Sequence, residues 1–142
     1  MIEEWAGSRR RTVYSTGLLP NNGQSTIALG AKGDYDRHFR RLAQNLVNAG
    51  ENDAIIRLGW EFNLATSTWS TDRPADFVAY WRHIVKAMRS VPGQDFEFDW
   101  NPNVGATAYD ATLYYPGKAY VDYIGVDAVS YTHLTLPTIC SV

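Results

Sequence analysis

The sequence predicts an α/β fold in which helices cover a parallel sheet. Four short segments of β-branched and aromatic residues occur along the chain, and two long segments with helical periodicity separate the first three of them. Strands that are joined through a helix run parallel, because the helix returns the chain to the end at which the previous strand began. This order of segments therefore predicts one parallel sheet rather than a set of hairpins.

The first strand is predicted over Thr12–Leu18, before a turn over Pro20–Gly23. The clearest helix is predicted over Asp34–Ala49, with Asp34 as its N-cap and Gly50 just after its end. Its apolar stripe consists of Tyr35, Phe39, Leu42, Leu46 and Ala49. We expect this stripe to pack on the sheet.

The other strands are predicted over Ala54–Trp60, Phe96–Trp100 and Val121–Asp127. A polar loop, Leu64–Thr71, precedes a second helix over Pro74–Val91, which a proline in its first turn and a Pro-Gly pair after its end delimit. The apolar stripe of this helix consists of Phe77, Val78, Trp81, Ile84, Val85 and Met88.

Composition and charge exclude several classes of protein. The 142 residues are 45% hydrophobic and 20% charged, which is typical of one globular domain. A net charge of −2 gives no basic field for nucleic acid or anionic lipid. No apolar run could span a membrane, and the first residues lack the hydrophobic region of a signal peptide.

The segment Ile55–Asn63, IIRLGWEFN, indicates a functional site. An apolar strand gives way at its end to Glu61, which stands beside Trp60 and an amide. If the strand alternation continued, Glu61 would share a face with Arg57, which we expect to be buried. Aromatic surroundings favour the protonated form of a carboxyl group, as the general acid of glycoside hydrolysis requires. The alternative is a strand-end glutamate that merely faces solvent.

Glu97 and Asp99 form a second pair of carboxylates on one face of their strand. A catalytic pair is conceivable, because retaining glycosidases use two carboxyl groups about 5–5.5 Å apart. We favour a structural network in which Arg57, on the neighbouring strand, satisfies both carboxylates. Asp127 ends the last strand as Glu61 ends its own, so it could also reach the site.

The three histidines and one cysteine do not indicate a metal or cofactor site. His38 and His83 lie on predicted helices, and no partner of theirs stands at ligand spacing. His133 and Cys140 fall in a final segment to which we assign no function, and a single cysteine excludes an internal disulfide. We therefore predict no cofactor.

The span from about Val13 to Asp127 resembles glycoside hydrolase family 26, the retaining β-mannanase-like family of the (β/α)8 clan. The resemblance is carried, in order, by LGWEFN (Leu58–Asn63), AYWRHIVKAMRSVPG (Ala79–Gly93), FEFDWNPN (Phe96–Asn103) and YPGKAYVDYIGVD (Tyr115–Asp127). It implies a partial (β/α)8 TIM barrel, about strands three to six, with Glu61 as acid/base at the end of the fourth strand.

The resemblance also implies which side chains contact the substrate. Aromatic stacking on sugar rings would come from Trp60, Trp69 and Trp100, and hydrogen bonds to hydroxyls from Asn63, Asn101 and Asp127. Trp60 stands where many members of the family have histidine, and Leu64 stands where a glycine usually follows the asparagine. Both departures concern specificity for mannan rather than the hydrolase class.

The two ends of the chain depart from the family pattern. We interpret residues 1–128 as part of a catalytic barrel and residues 129–142 as an aberrant tail. The family's nucleophile is a glutamate at the end of the seventh strand, which this chain would lack. A (β/α)8 barrel typically has about 250 residues, so we expect the chain to be an inactive piece that is prone to aggregate.

The chain is thus predicted to be part of an extracellular glycoside hydrolase that cleaves a β-linked, mannan-like polysaccharide. The alternative is a non-catalytic carbohydrate-binding or scaffold domain built on the same barrel, which would use the same tryptophans and asparagines. A nucleotide-binding domain is disfavoured, because no strand is followed by a glycine-rich loop that opens a helix.

Overall fold

The structure, a computed structural model, describes residues 10–128. In this part of the chain, four strands form one sheet in which each neighbouring pair is parallel, in the order β1-β2-β3-β4. The strands are β1 (Val13–Thr16), β2 (Ile55–Leu58), β3 (Glu97–Trp100) and β4 (Tyr123–Ile124). The predicted α/β class and the parallel sheet are confirmed.

The strand register gathers most of the polar side chains of the sheet on one face. Ser15, Arg57, Asp99 and Tyr123 are successive partners across the four strands, so they share one face. The opposite face includes fully buried apolar side chains, among them Ile56, Leu58 and Phe98. The helices cover this second face, and the core lies between them and the sheet.

Two long helices, α2 (Asp36–Asn48) and α3 (Pro74–Arg89), lie close to where the sequence predicts them. They follow a short helix, α1 (Ile27–Gly30), that was not predicted, although Thr26 is a standard N-cap whose Oγ1 accepts from the Leu29 N–H at 3.2 Å. The prediction that Asp34 caps α2 is wrong. Tyr35 occupies the N-cap position, and no side chain caps the helix.

Helix α3 contributes more buried side chains to the core than either of the other two helices α1 and α2. Five of the six residues in its predicted stripe are buried, and Val78 is only partly so. Tyr80 is also fully buried. Its hydroxyl donates to the carbonyl of Leu18 at 2.7 Å, so this polar group has a hydrogen-bond partner without water. No helix in the described range 10–128 is long and apolar enough to cross a bilayer.

The strands are shorter than predicted at the edge of the sheet where they end. Strand β2 ends at Leu58, and the backbone then enters the left-handed region at Gly59 (φ 49°) and again at Glu61 (φ 51°). The expectation that strand alternation continues to Glu61 is therefore wrong. Strand β4 has only two residues, and its pairing with the chain after β3 resumes as one bridge between Asn103 and Asp127.

Candidate active site

Glu61 lies on the turn that follows β2, at the edge of the sheet where the parallel strands end. Its N–H donates to the carbonyl of Asn101, just after β3, at 2.8 Å. Its own carbonyl accepts from the Leu64 N–H at 3.1 Å. These two bonds hold Glu61 in a conformation with positive φ. The direction of its half-buried side chain is therefore set by the turn and not by the alternation of side chains along a strand.

The carboxylate of Glu61 is bound by an amide that the sequence analysis missed. Asn103 Nδ2 donates to Glu61 Oε1 at 2.6 Å, and Asn103 is only 8% exposed. A signal for it was present, because the Asn-Pro-Asn turn follows β3 as Glu61 follows β2, and adjacent parallel strands end side by side. Asn103 thus completes the polar environment of the predicted acid/base.

Asn63, which was predicted to bind a sugar hydroxyl, is buried and makes its hydrogen bonds within the protein. The residue is 1% exposed, and its Nδ2 donates to the carbonyls of Asn103 at 2.8 Å and Tyr109 at 2.9 Å. Its Oδ1 accepts from the Asn103 N–H at 2.8 Å. An amide with both ends engaged inside the protein cannot bind a sugar hydroxyl, so Asn63 instead holds the loop that carries Asn103.

Trp60 and Trp69 form an aromatic pair beside Glu61. Their ring centroids are 4.7 Å apart, with the planes at 68°, and Trp69 Nε1 donates to the carbonyl of Trp60 at 2.9 Å. Both residues are only partly buried, and they line a cleft of about 230 Å³. The cleft is formed by Trp60, Glu61, Leu64, Thr66, Ser67, Thr68 and Trp69.

Trp100 lies on the wrong face of the sheet for the role predicted for it. It has the same parity on β3 as Phe98, so its ring points into the helix-covered core, and it is 6% exposed. The ring packs against Phe62 and Tyr115, with centroids 5.3 and 5.4 Å away. The ring that was predicted to stack on a sugar therefore lies in the core of the described structure.

Asn101 and Asp127 meet at the ends of β3 and β4. In the orientation that satisfies both of its polar atoms, the Asn101 amide donates to Asp127 Oδ2 at 3.1 Å and accepts from the Val126 N–H at 3.2 Å. Asn101 is 1% exposed, so it positions Asp127 instead of contacting a substrate as predicted. Asp127 is partly exposed and remains available at this edge of the sheet.

The predicted network of Arg57, Glu97 and Asp99 is only partly correct. Arg57 Nε contacts Asp99 Oδ2 at 2.7 Å, but the Arg57 side chain is 35% exposed rather than buried. Glu97 forms an ion pair with Arg11 instead, and it accepts from the Tyr123 hydroxyl at 2.8 Å. Because Glu97 and Asp99 are each paired with an arginine, we interpret them as structural residues and not as a catalytic pair.

Electrostatics around Glu97 follow from these contacts. The Tyr123 hydroxyl and the Arg11 guanidinium favour the ionised carboxylate, and together they hold the pKa of Glu97 below its ordinary value. The same hydrogen bond raises the pKa of Tyr123, since losing its proton would place two negative charges side by side.

The histidines within residues 10–128 lie away from Glu61. His38 is exposed on α2, and His83 Nδ1 contacts Asp36 Oδ2 at 3.1 Å between α2 and α3. Among the described residues no three potential ligands come together to hold a metal ion. His133 and Cys140, like the rest of the predicted aberrant tail from Val129 onward, lie outside the described residues.

A larger cavity in the described structure lies away from Glu61. It measures about 590 Å³ and lies between the end of β1 and α2, where Leu18, Phe39 and Tyr80 are part of its wall. No carboxylate lines it. The smaller cleft beside Glu61 is therefore the better candidate, because it combines a carboxylate with partly exposed tryptophans.

The fold and the site together define a class of protein. A carboxylate on the turn after a parallel strand, beside tryptophans that line an open cleft, is the arrangement of a barrel-type glycoside hydrolase. The family model described as "Glycosyl hydrolase family 26" matches residues 38–135, which include Glu61 and three of the four strands.

The chain belongs to glycosyl hydrolase family 26. It is a piece of a glycoside hydrolase, its substrate is a carbohydrate, and its four-stranded parallel sheet is part of the family's barrel. A comparison with curated protein sequences finds no match.

Proposed function

We propose that this chain supplies the acid/base side of the active site of a retaining glycoside hydrolase that acts on a β-linked, mannan-like polysaccharide. The observation that carries the proposal is the position of Glu61. It lies at the edge where the strands end, its carboxylate receives one hydrogen bond from a buried amide, and it borders the Trp60–Trp69 cleft. The expected catalytic groups of a (β/α)8 barrel occupy this edge.

In the proposed reaction, Glu61 acts first as an acid and then as a base. It donates a proton to the glycosidic oxygen as the bond to the anomeric carbon breaks, while a second carboxylate attacks that carbon and forms a glycosyl ester. Glu61, now ionised, then removes a proton from the water that hydrolyses the ester. The sugar anomer is retained because each of the two displacements inverts it.

The substrate-binding residues that we retain are Trp60, Trp69 and Asp127. The two tryptophans line the cleft with partly exposed rings, which is what stacking on the apolar face of a sugar requires. Asp127 offers a carboxylate oxygen to a hydroxyl at the neighbouring strand end. The mannan-like substrate follows from the family resemblance, and Trp60 in place of the usual histidine is the feature that would change its specificity.

We assign the nucleophile to a barrel strand outside residues 10–128. Glu97 and Asp99, the acidic residues on β3, are paired with arginines, and a nucleophile must be free to attack carbon. Residues 10–128 without that strand should therefore show little or no turnover. We also propose that the full-length enzyme acts outside the cell, where polysaccharides occur, and recovery of its activity only from lysed cells would contradict this.

The test is Glu61→Gln in the full-length enzyme. We expect the rate on polysaccharide to fall by a factor on the order of 10² to 10⁴, because a poor leaving group needs the proton. Aryl glycosides with acidic leaving groups need no proton, so their bond-cleavage step should change much less. The measurement is kcat/KM on both substrates.

The matched control is Asp34→Asn, which makes the same carboxylate-to-amide change at an exposed position before α2. It should leave both rates unchanged. If Glu61→Gln keeps the wild-type rate on polysaccharide, Glu61 is not the acid/base. Tight binding of polysaccharide by a full-length wild-type protein without any turnover would instead support the non-catalytic binding domain.

A further inference from the structure

We propose that Asn103 is a positioning residue that determines which oxygen of Glu61 carries the transferable proton. This inference rests on the proposed acid/base role of Glu61 and extends it to a residue that acts through Glu61. It follows from three sets of contacts: those of the Asn103 side chain, those of its backbone, and those of Gly105.

The orientation of the Asn103 amide is fixed at both ends. Its Nδ2 donates to Glu61 Oε1 at 2.6 Å, and its Oδ1 accepts from the Gly105 N–H at 2.6 Å. Rotating the amide by 180° would direct its nitrogen at an N–H and its oxygen at a carboxylate, so that both bonds would be lost. Asn103 therefore always presents a donor to Glu61.

The backbone of Asn103 is fixed as well. Its N–H donates to Asn63 Oδ1 at 2.8 Å, and its carbonyl accepts from Asn63 Nδ2 at 2.8 Å. Asn63 is almost fully buried, so water competes little for these bonds. The buried Asn63 thus sets the position of Asn103, and Asn103 sets the position of the carboxylate.

Gly105 shows that the loop is built around this contact. A Cβ atom at position 105 would lie 2.9 Å from Asn103 Oδ1, closer than Cβ atoms normally approach an oxygen. A larger residue at this position would displace the amide oxygen and, with it, the donor that faces Glu61. Glycine there permits the 2.6 Å bond from its N–H.

The consequence for catalysis concerns the two oxygens of Glu61. Oε1 accepts a hydrogen bond from Asn103, and a carbonyl-type oxygen is a better acceptor for that bond than a protonated, hydroxyl-type oxygen. The acid form therefore carries its proton on Oε2, and Oε2 is the atom that donates to the glycosidic oxygen. In the second step the same Oε2 receives the proton from water, while the bond to Oε1 is kept throughout.

The sharpest test is Asn103→Asp in the full-length enzyme. Aspartate keeps the acceptor for the Gly105 N–H and both backbone bonds, but it replaces the donor beside Glu61 with a second negative charge. A like charge disfavours ionisation of the general acid. The alkaline limb of the kcat/KM profile should therefore move to higher pH, by on the order of one pH unit.

The companion variant is Asn103→Ala, which removes the donor without adding a charge. The rate on polysaccharide should fall by roughly 10- to 100-fold, because the carboxylate is no longer held in place. Aryl glycosides with acidic leaving groups should be affected much less, and KM should be nearly unchanged. A residue that was important only for folding would lower both rates together.

Asn45→Asp, the same substitution at an exposed position of α2, serves as the matched control and should leave the pH profile unchanged. Glu61→Gln, measured in parallel, separates this inference from the proposed function. If Glu61→Gln is inactive but both Asn103 variants match the wild type in pH profile and leaving-group dependence, the positioning role is wrong and the acid/base role remains. If Asn103→Asp fails to fold, the leaving-group dependence of Asn103→Ala decides alone.

Discussion

At the scale of single residues, Glu61 has a backbone conformation that most side chains avoid. With φ at 51°, its Cβ crowds the neighbouring backbone, which costs roughly 1–2 kcal/mol for an L residue. Strain of this kind persists where surrounding bonds hold it, and the bonds to Asn101 and Leu64 do so here. The conformation that places the Glu61 carboxylate at the site thus lowers the stability of the turn.

This strain predicts a difference between two variants that both remove the carboxylate. Glu61→Gly and Glu61→Ala lose the same bond to Asn103, but only glycine adopts positive φ freely. We expect the glycine variant to be the more stable by about 1 kcal/mol in its free energy of unfolding. Denaturant unfolding of the full-length protein measures this difference, and an alanine variant of equal or greater stability would contradict the strain.

At the scale of secondary structure, the sequence predicts helices better than the ends of strands. Helix α3 is delimited by Pro74 and Gly93, and its apolar period identifies the buried face, so its position was confirmed closely. The end of β2 is harder to predict from the sequence. Left-handed backbone conformations are usually adopted by glycine, and no local pattern shows that Glu61 adopts one.

The sequence offers candidates for the chemical groups of the site, but it does not identify the residue that positions Glu61. Trp100 follows an aromatic pattern that fits a core as well as a sugar, and only the strand register shows that its ring lies on the buried face of the sheet. Asn103 was missed since its partner, Glu61, lies 42 positions away in the chain. Contacts of this range depend on which strands pair, which sequence periodicity does not reveal.

The contacts of Glu97 tie together the start of β1, β3 and β4, and they predict how stability depends on pH. The folded pKa of Glu97 lies below its ordinary value of 4.5, chiefly because Tyr123 donates to it and also because Arg11 is near. The resulting stabilisation is present above pH 4.5 and is lost as the pH falls through the lower, folded pKa.

We therefore expect Tyr123→Phe to raise the pKa of Glu97 and to reduce the loss of stability in acid. Carbon-13 NMR of the Glu97 carboxyl group during a pH titration measures the first effect, and denaturant unfolding at several pH values measures the second. Tyr109→Phe, at another exposed tyrosine, is the matched control. A Glu97 titration that is the same in the Tyr123 variant and in the wild type would show that the hydroxyl has no such effect.

At the scale of the whole molecule, the described sheet has two open edges. Within residues 10–128, β1 pairs only with β2, and β4 pairs only with β3. The face that carries Arg57 and Asp99 is partly exposed, whereas in a closed barrel the opposite strands would cover it. Unpaired parallel edges readily recruit other chains.

The 142-residue chain on its own should therefore aggregate or unfold without a sharp transition. Calorimetry and light scattering measure this behaviour, and the full-length protein at equal concentration is the control. A single cooperative transition at high temperature, from a monomer, would contradict the prediction and would mean that half of a barrel can shield its own edges.

The tryptophan at position 69 also limits how this enzyme could be redesigned. Its ring rests directly on the backbone of two strand ends, since a Cβ would lie 2.7 Å from it at Gly17 and 3.2 Å from it at Gly59. If the loop Leu64–Thr71 is grafted onto another barrel, a side chain at the position of Gly17 would clash with the ring, and one at the position of Gly59 would require the ring to shift by a few tenths of an ångström. The two glycines and the loop form one transferable module, and they have to be exchanged together.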